Sequence, residues 1–296
     1  MIPAGFGLTS DAVHVWTLLG PAPNDAMATL MGVLDDQETE RVARLHFRSL
    51  RESLITSHGA LRFLLGHYLG LDAEKIRFAV GPHGKPRLEP TNRLSFNMAH
   101  SGALTVVALT MDCHIGVDVE RIQPLCDFRQ VAAEFFCPDE VQELMSLPPE
   151  DQQDAFFCAW TRKEAYLKAS DIGLSTGLSR VCVSIKPKSP PRIIHVNNEA
   201  DYAEQWTLVD LALAPLYRAA LAYRARRRSL SYFRITNFAE FTQPSPLFDS
   251  TPLAGFREMS RPANKSSHSG NLLDATRNSS KRLSRGDIRL KLSRRA

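Results

Sequence analysis

Three absences narrow the possibilities first. The 296 residues hold no apolar run approaching the roughly 18 that a membrane-crossing helix needs, so no membrane association is expected. The opening "MIPAGFGLTSDAVHVW" has neither a basic start nor a clean apolar core, which argues against a secretory signal. Cysteine is scarce, odd in number and without a C-x-x-C pair: Cys113, Cys126, Cys137, Cys158 and Cys182 read as free thiols in a reducing, cytoplasmic compartment.

What is present is ordinary in bulk and uneven in distribution. The chain is 44% hydrophobic and 23% charged, as in soluble globular proteins. Its net charge of +4 conceals a basic end. Residues 257–296 carry eleven Lys/Arg against three Asp/Glu, so the preceding 256 residues are net acidic. From about Leu230 the composition turns to Ser, Pro, Asn and Arg, and 229–296 is expected to be a disordered basic tail. A basic tail can meet nucleic acid or an acidic membrane, but a solvated appendage is the plainer expectation, and no nucleic-acid partner is expected.

The body shows a succession of elements twice. "VHVWTLL" reads as a strand, "DDQETERVARL" as a short polar helix and "ESLITSHGALRFLLGHYLGL" as a long amphipathic one, before "KIRFAV", a turn "GPHGKP" and "LSFNMAHSG". "LTVVALTM" and "IGVDVERI" are expected to pair as a hairpin about Asp112–Cys113. "PDEVQELMSL" and "QDAFFCAWTRKEAYLKASDIGL" then repeat the short and long helices, and "RVCVSIK", "QWTLVDLA" and "YRAALAY" repeat the strands. The fold expected is α+β, built of two similar halves, 1–108 and 109–228, with a cleft between them where ligands bind.

The strand "IGVDVERI" poses a chemical question. Residues two apart on a strand share a face, so Asp118 and Glu120 stand side by side. Two carboxylates about 5 Å apart repel by roughly 3 kcal/mol at an effective dielectric near 20. In "WTRKEAYLK", Glu164 and Lys168 lie at i, i+4 on one helix face. Alone, that is an exposed ion pair worth about 0.3–0.5 kcal/mol. Asp118, Glu120 and Glu164 gathered at one spot would instead suit a hard cation such as Mg²⁺. The competing reading has the strand carboxylates fanning into solvent, never meeting Glu164. Lys85 on its Gly/Pro turn, His100 at the end of an apolar run, and Arg41, Arg44, Arg48 and Arg51 are candidate phosphate contacts. Each also has a bland reading, as a solvated or structural side chain.

In order, "GKP", "FNMAHSG", "IGVDVE" and, about forty residues later, "WTRKEAYLK" resemble the motif set of the 4′-phosphopantetheinyl transferases, of the larger monomeric type that activates peptide and polyketide synthases. "ARLHF…SHGALRFLLGHYLG" and "LYRAALAY" resemble flanking parts of that family, so the likeness spans residues 13–225 and stops before the tail. It implies a pseudo-dimer of two α+β halves with the active site between them. It implies Asp118, Glu120 and Glu164 as Mg²⁺ ligands, Lys168 on the substrate's phosphate region, and Lys85 and His100 on the phosphates of coenzyme A. Arg41 would belong to the patch for the 3′-phosphate. The reaction implied moves the phosphopantetheine arm of coenzyme A to a serine of an apo acyl, peptidyl or aryl carrier protein. Glu164 is the candidate base, and pure metal ligation is its competing role. Three positions depart from the family pattern: Ala99 stands where many relatives have serine, and Leu50 and Glu52 stand where an acidic-basic run is common, Glu52 weakening a phosphate clamp if it faced the site. Apolar contacts to the carrier are expected from 126–150, where Phe128, Phe135 and Phe136 lie at helical spacing and core packing is expected to claim two of the three. The alternative is a non-catalytic carrier or coenzyme A binding module that kept the fold.

Overall fold

The computed structural model describes residues 7–81, 83–171, 177–187 and 189–243, and the backbone of 256–259. The first half runs β1 (Ala12–Leu19), α1 (Asn24–Gly32), α2 (Asp36–Arg44), α3 (Arg48–Leu69), a 3₁₀ turn (Ala73–Lys75), β2 (Arg77–Val80), β3 (Pro86–Glu89), β4 (Leu94–Ser101) and β5 (Leu104–Met111). The second runs β6 (Ile115–Arg121), α4 (Phe128–Phe135), α5 (Pro138–Ser146), α6 (Pro149–Ser170), a 3₁₀ turn (Leu178–Arg180), β7 (Val181–Val183), β8 (Ile193–Val196), α7 (Ala200–Ala203), β9 (Thr207–Asp210) and β10 (Tyr217–Tyr223). β11 (Ser229–Ile235), α8 (Phe238–Phe241) and β12 (Phe256–Met259) follow. The fold is α+β.

The repeated order extends to strand pairing. β5 lies antiparallel between β1 and β4, and β10 lies antiparallel between β6 and β9. Each three-stranded unit carries one long helix, α3 or α6, both of 22 residues. α3 ends where Gly70 adopts a left-handed conformation (φ 65°), which costs glycine nothing. α6 begins at Pro149, whose missing N–H is no loss at a helix start, and is buried along most of its length.

Alternation along the strands decides what sits between the sheets. Val13 and Val15 of β1 and Val106 and Ala108 of β5 meet Val117 and Val119 of β6 and Ala219 and Leu221 of β10 in a shared core. The opposite faces meet the long helices: Trp16 and Leu18 join Leu61, Leu64 and Leu65 of α3. Where β4 and β6 come together, side chains do the joining. Asn97 Oδ1 accepts from the Val117 backbone N–H (2.8 Å), and Ser101 Oγ accepts from that of Arg121 (3.1 Å).

Three expectations need correction. "LTVVALTM" and "IGVDVERI" are not a hairpin: β5 and β6 belong to different sheets, and Asp112 (φ 51°) turns the chain from one to the other. The boundary between the halves therefore falls at Asp112–Cys113, beyond the expected 108, which lies inside β5. Residues 229–243 are not tail. β11 pairs in parallel with β1, and Ile235, Phe238 and Phe241 are buried in the first-half core. β12 continues the same sheet. The other residues of the expected disordered tail lie outside those described. Among the described residues, no helix is long and apolar enough to cross a membrane.

Candidate functional site

β6 turns Val117 and Val119 into the inter-sheet core and so presents Gly116, Asp118 and Glu120 toward α6. Gly116 permits the approach. A Cβ there would lie 2.2 Å from the Ala165 carbonyl oxygen and 2.4 Å from the Ala169 nitrogen, so only glycine lets α6 pack this close. Glu164 and Lys168 are thereby carried against the strand.

Asp118, Glu120 and Glu164 are 0%, 5% and 3% exposed. Lys168 Nζ donates to Asp118 Oδ1 (2.5 Å) and to the Val117 carbonyl (3.2 Å), and stands 3.7 Å from Glu164 Oε2. Ser101 donates its hydroxyl to Glu120 Oε2 (2.7 Å). The strand carboxylates do not fan into solvent. With Lys168, the three acids carry a formal charge of −2 in a buried layer where charge requires compensation.

Lys85 reaches the C-terminal end of α6. Its amine donates to the carbonyl of Lys168 (2.6 Å), a last-turn acceptor that a cation suits, and to that of Ile115 at the start of β6 (3.0 Å), and stands 3.3 Å from Asp171 Oδ1. Burial lowers the Lys85 pKa below that of an ordinary lysine, Asp171 opposes the shift, and the charges of Arg87 and Lys168 reinforce it. Asp171 also holds Arg87 (2.5 Å) and lies 3.7 Å from His114 Nδ1.

The other candidates have different settings. His100 is exposed at the end of β4, next to Ser101, and pairs in register with Thr105. Arg41 is exposed on the last turn of α2. Arg44 and Arg48 are held by Glu40 (2.8 Å) and Glu52 (2.6 Å), so Glu52 spends its charge on its own helix. Phe128 and Phe136 pack against Phe156 at 5.8 and 5.4 Å between ring centroids, while partly buried Phe135 lies edge-on to Trp160 at 6.4 Å.

Sequence reasoning missed Ser101, Asp171 and Arg218. Ser101 shares the strand face of Ala99, so the hydroxyl absent at 99 is present two residues on, and that spacing could have flagged it. Arg218 lies opposite Glu120 in the β6–β10 ladder, its guanidinium held by Asp154 (2.7 Å). Asp171 gave no signal beyond being an acid just past a helix end.

Two family models match the chain, covering almost all of both halves. That of the 4′-phosphopantetheinyl transferase superfamily matches residues 114–222, and that of the N-terminal part of 4′-phosphopantetheinyl transferases matches 20–112. The 4′-phosphopantetheinyl transferase HetI of Nostoc sp. is 34% identical over 212 residues, 71% of this chain and 86% of that protein. The transferase psf-1 of Bacillus pumilus is 32% identical over 187 residues (62% and 77%). The transferase Sfp of Bacillus subtilis is 25% identical over 165 residues (56% and 72%).

Proposed function

Since the chain belongs to the 4′-phosphopantetheinyl transferase superfamily, we propose that it moves the phosphopantetheine arm of coenzyme A onto a serine of an apo carrier protein, using the layer between β6 and α6. The observation that carries this assignment of the site is the burial of the carboxylates Asp118, Glu120 and Glu164 between β6 and α6, with Lys168 joining Asp118 and Glu164 across about fifty residues.

The donor set fits Mg²⁺: three carboxylates offer the hard oxygen ligands this ion takes. Held by Asp118, Glu120 and Glu164, the ion would supply positive charge against the diphosphate of coenzyme A. The chain's own residues do the rest. Lys168 and Lys85, close enough for their charges to interact, present ammonium groups to phosphate oxygens and offset the repulsion an incoming nucleophile meets. His100 and Arg41 hold the nucleotide end through its phosphates. Glu164 accepts the proton of the serine hydroxyl, a weak nucleophile that needs a base in reach. The serine oxygen bonds to the β-phosphorus, the bridging P–O bond breaks, and adenosine 3′,5′-bisphosphate leaves.

The two halves on one chain support action as a monomer, with the cleft between them as the binding site. Five free cysteines fit a reducing compartment, the cytoplasm. Phe135 is the aromatic of its segment available to an acyl, peptidyl or aryl carrier domain.

Intact-mass spectrometry of an apo carrier protein incubated with this protein, coenzyme A and Mg²⁺ tests the reading. A gain of about 340 Da, one phosphopantetheine, abolished by chelator, is expected. No gain across several carrier types would overturn it.

A further inference from the structure

A second polar cluster lies in α5, α6 and β7, apart from the acids facing β6. Cys137, Glu140 and Cys182 are all buried, and their ligand atoms lie within 4.8 Å of one another. Cys137 is the N-cap of α5, its sulfur accepting from the Glu140 backbone N–H. Cys182 sits in β7, at a register irregularity of the β7–β8 ladder that falls between Cys182 and Val183.

The trio has the composition of a metal site, but its counter-charge is already in place. Lys163 Nζ is 2.5 Å from Glu140 Oε2 and 3.8 Å from Cys137 Sγ, and donates to the carbonyls of Leu178 (2.8 Å) and Val181 (2.5 Å). A metal ion would have to displace a fully buried ammonium that is satisfied by three oxygens. The first half makes the same connection without sulfur: Arg62 bonds Glu38 and the carbonyl of Ile76, which follows its 3₁₀ turn just as Val181 follows the other. The sulfur pair is thus an addition to a structural device that works without it.

We propose that Cys137 and Cys182 are a modification site, forming a reversible disulfide that staples the start of α5 to β7. The two sulfurs lie within 4.8 Å of each other, Cys137 Sγ donates to the carbonyl of Val181, the residue just before Cys182 (3.4 Å), and the irregular ladder at Cys182 gives that strand room to shift. The Cys182 hydrogen bond and the Lys163 charge lower the Cys137 pKa against its burial, favouring the thiolate that reacts. The neighbouring Cys137 and burial push the Cys182 thiol up.

The oxidant is a peroxide, small enough to enter a packed interior. Cys137 thiolate attacks one peroxide oxygen, the O–O bond breaks and hydroxide leaves, giving a sulfenic acid. The Cys182 sulfur then attacks that sulfur and the S–O bond breaks. Water departs with the Cys182 proton, so two thiols and one hydrogen peroxide become one disulfide and two waters.

The test treats the full chain with hydrogen peroxide, alkylates the remaining thiols after denaturation, and maps peptides by mass. The expected result is a peptide pair joined through Cys137 and Cys182, two hydrogens lighter and restored by dithiothreitol. A rise in melting temperature should accompany it and be absent in Cys182→Ala and in Cys137→Ser, where serine keeps a competent N-cap. Oxidation confined to exposed Cys126, or sulfinic acid at Cys137 without a cross-link, would overturn the proposal. So would a native mass showing Zn²⁺ retained by wild type and lost in Cys182→Ala. A second arm refolds reduced protein in a glutathione redox buffer, and failure of the pair to form there also counts against it.

Discussion

In the first half, the face of β1 that meets α3 carries His14, Trp16 and Leu18, and the packing is apolar apart from the hydrogen bonds of His14 and Trp16 to the Tyr68 hydroxyl, with Phe63 at its edge. In the second half, the face of β6 that meets α6 carries Asp118 and Glu120, and α6 answers with Glu164 and Lys168. The supporting frame is otherwise alike. Each short helix begins in a capping box whose glutamate, Glu38 or Glu140, pairs with a fully buried cation fifteen residues into the long helix, Arg62 or Lys163. One scaffold thus has two fillings. The uncharged one stabilises by burial, whereas the charged one gathers groups whose desolvation opposes stability.

The largest effect expected separates the fillings directly. Glu164→Gln keeps the shape of the side chain and removes its charge. Transfer should fall by about a thousandfold or more, the upper range for loss of a base, with the melting temperature within a few degrees of wild type. Normal turnover in that variant would remove Glu164 from the mechanism.

The next test asks whether the frames are equivalent. Truncating one partner of a buried ion pair leaves the other charge uncompensated, at a cost of about 3–5 kcal/mol. Glu140→Ala strands Lys163 and orphans the Val183 N–H that bonds Glu140, whereas Glu38→Ala leaves Arg62 its second carboxylate, Asp35. Urea denaturation should show Glu140→Ala destabilised to this extent and Glu38→Ala destabilised by less. A silent Glu38→Ala would break the comparison, making the second-half pair the only one that matters to the fold.

Glycine offers a finer cut. An added Cβ at Gly59 of α3 meets the Leu30 carbonyl oxygen at 2.7 Å, and one at Gly116 meets α6 at 2.2 Å. Overpacking of this kind costs about 1–3 kcal/mol. Gly59→Ala should lower the melting temperature with kcat preserved. Gly116→Ala should lower both, because α6 must withdraw from β6 with Glu164 and Lys168 on it. Equal kcat in the two variants would show that the acid layer tolerates displacement.

What could be read beforehand follows from the range of the physical signal. Alternation in "IGVDVERI" and helical spacing in "WTRKEAYLK" are local, so the strand and the helix, with the acidic residues they carry, were legible. The partners were not. Lys85 reads as a cation on a turn, but its acceptor is the Lys168 carbonyl 83 residues away. β11 reads as tail because Ser, Arg and Pro dominate its surroundings, and its stabilising partner β1 lies more than two hundred residues back. The hairpin expectation failed for a related reason: the turn at Asp112 is real, but pairing is decided by β1 and β10, which compete for the two strands and win both.

The smallest predicted effect concerns acid, and it belongs to the first half. His14 lies on β1, its Nδ1 2.6 Å from the Tyr68 hydroxyl, and burial lowers its pKa to about 4. β6 has no histidine. Because the unfolded chain binds this proton near pH 6.5 and the folded one only near 4, stability is complete above the unfolded value. It drains as pH falls between the two. The loss from His14 by pH 5 is about 2 kcal/mol, and burial lowers the His67 pKa in the same direction. His14→Phe should flatten the dependence of urea midpoint on pH between 7 and 5. Tyr68 keeps the Trp16 indole N–H as a donor at 2.9 Å, so the ring substitution does not leave the hydroxyl oxygen without its bond. An unchanged slope would move the acid sensitivity from the apolar half to the carboxylates of the other.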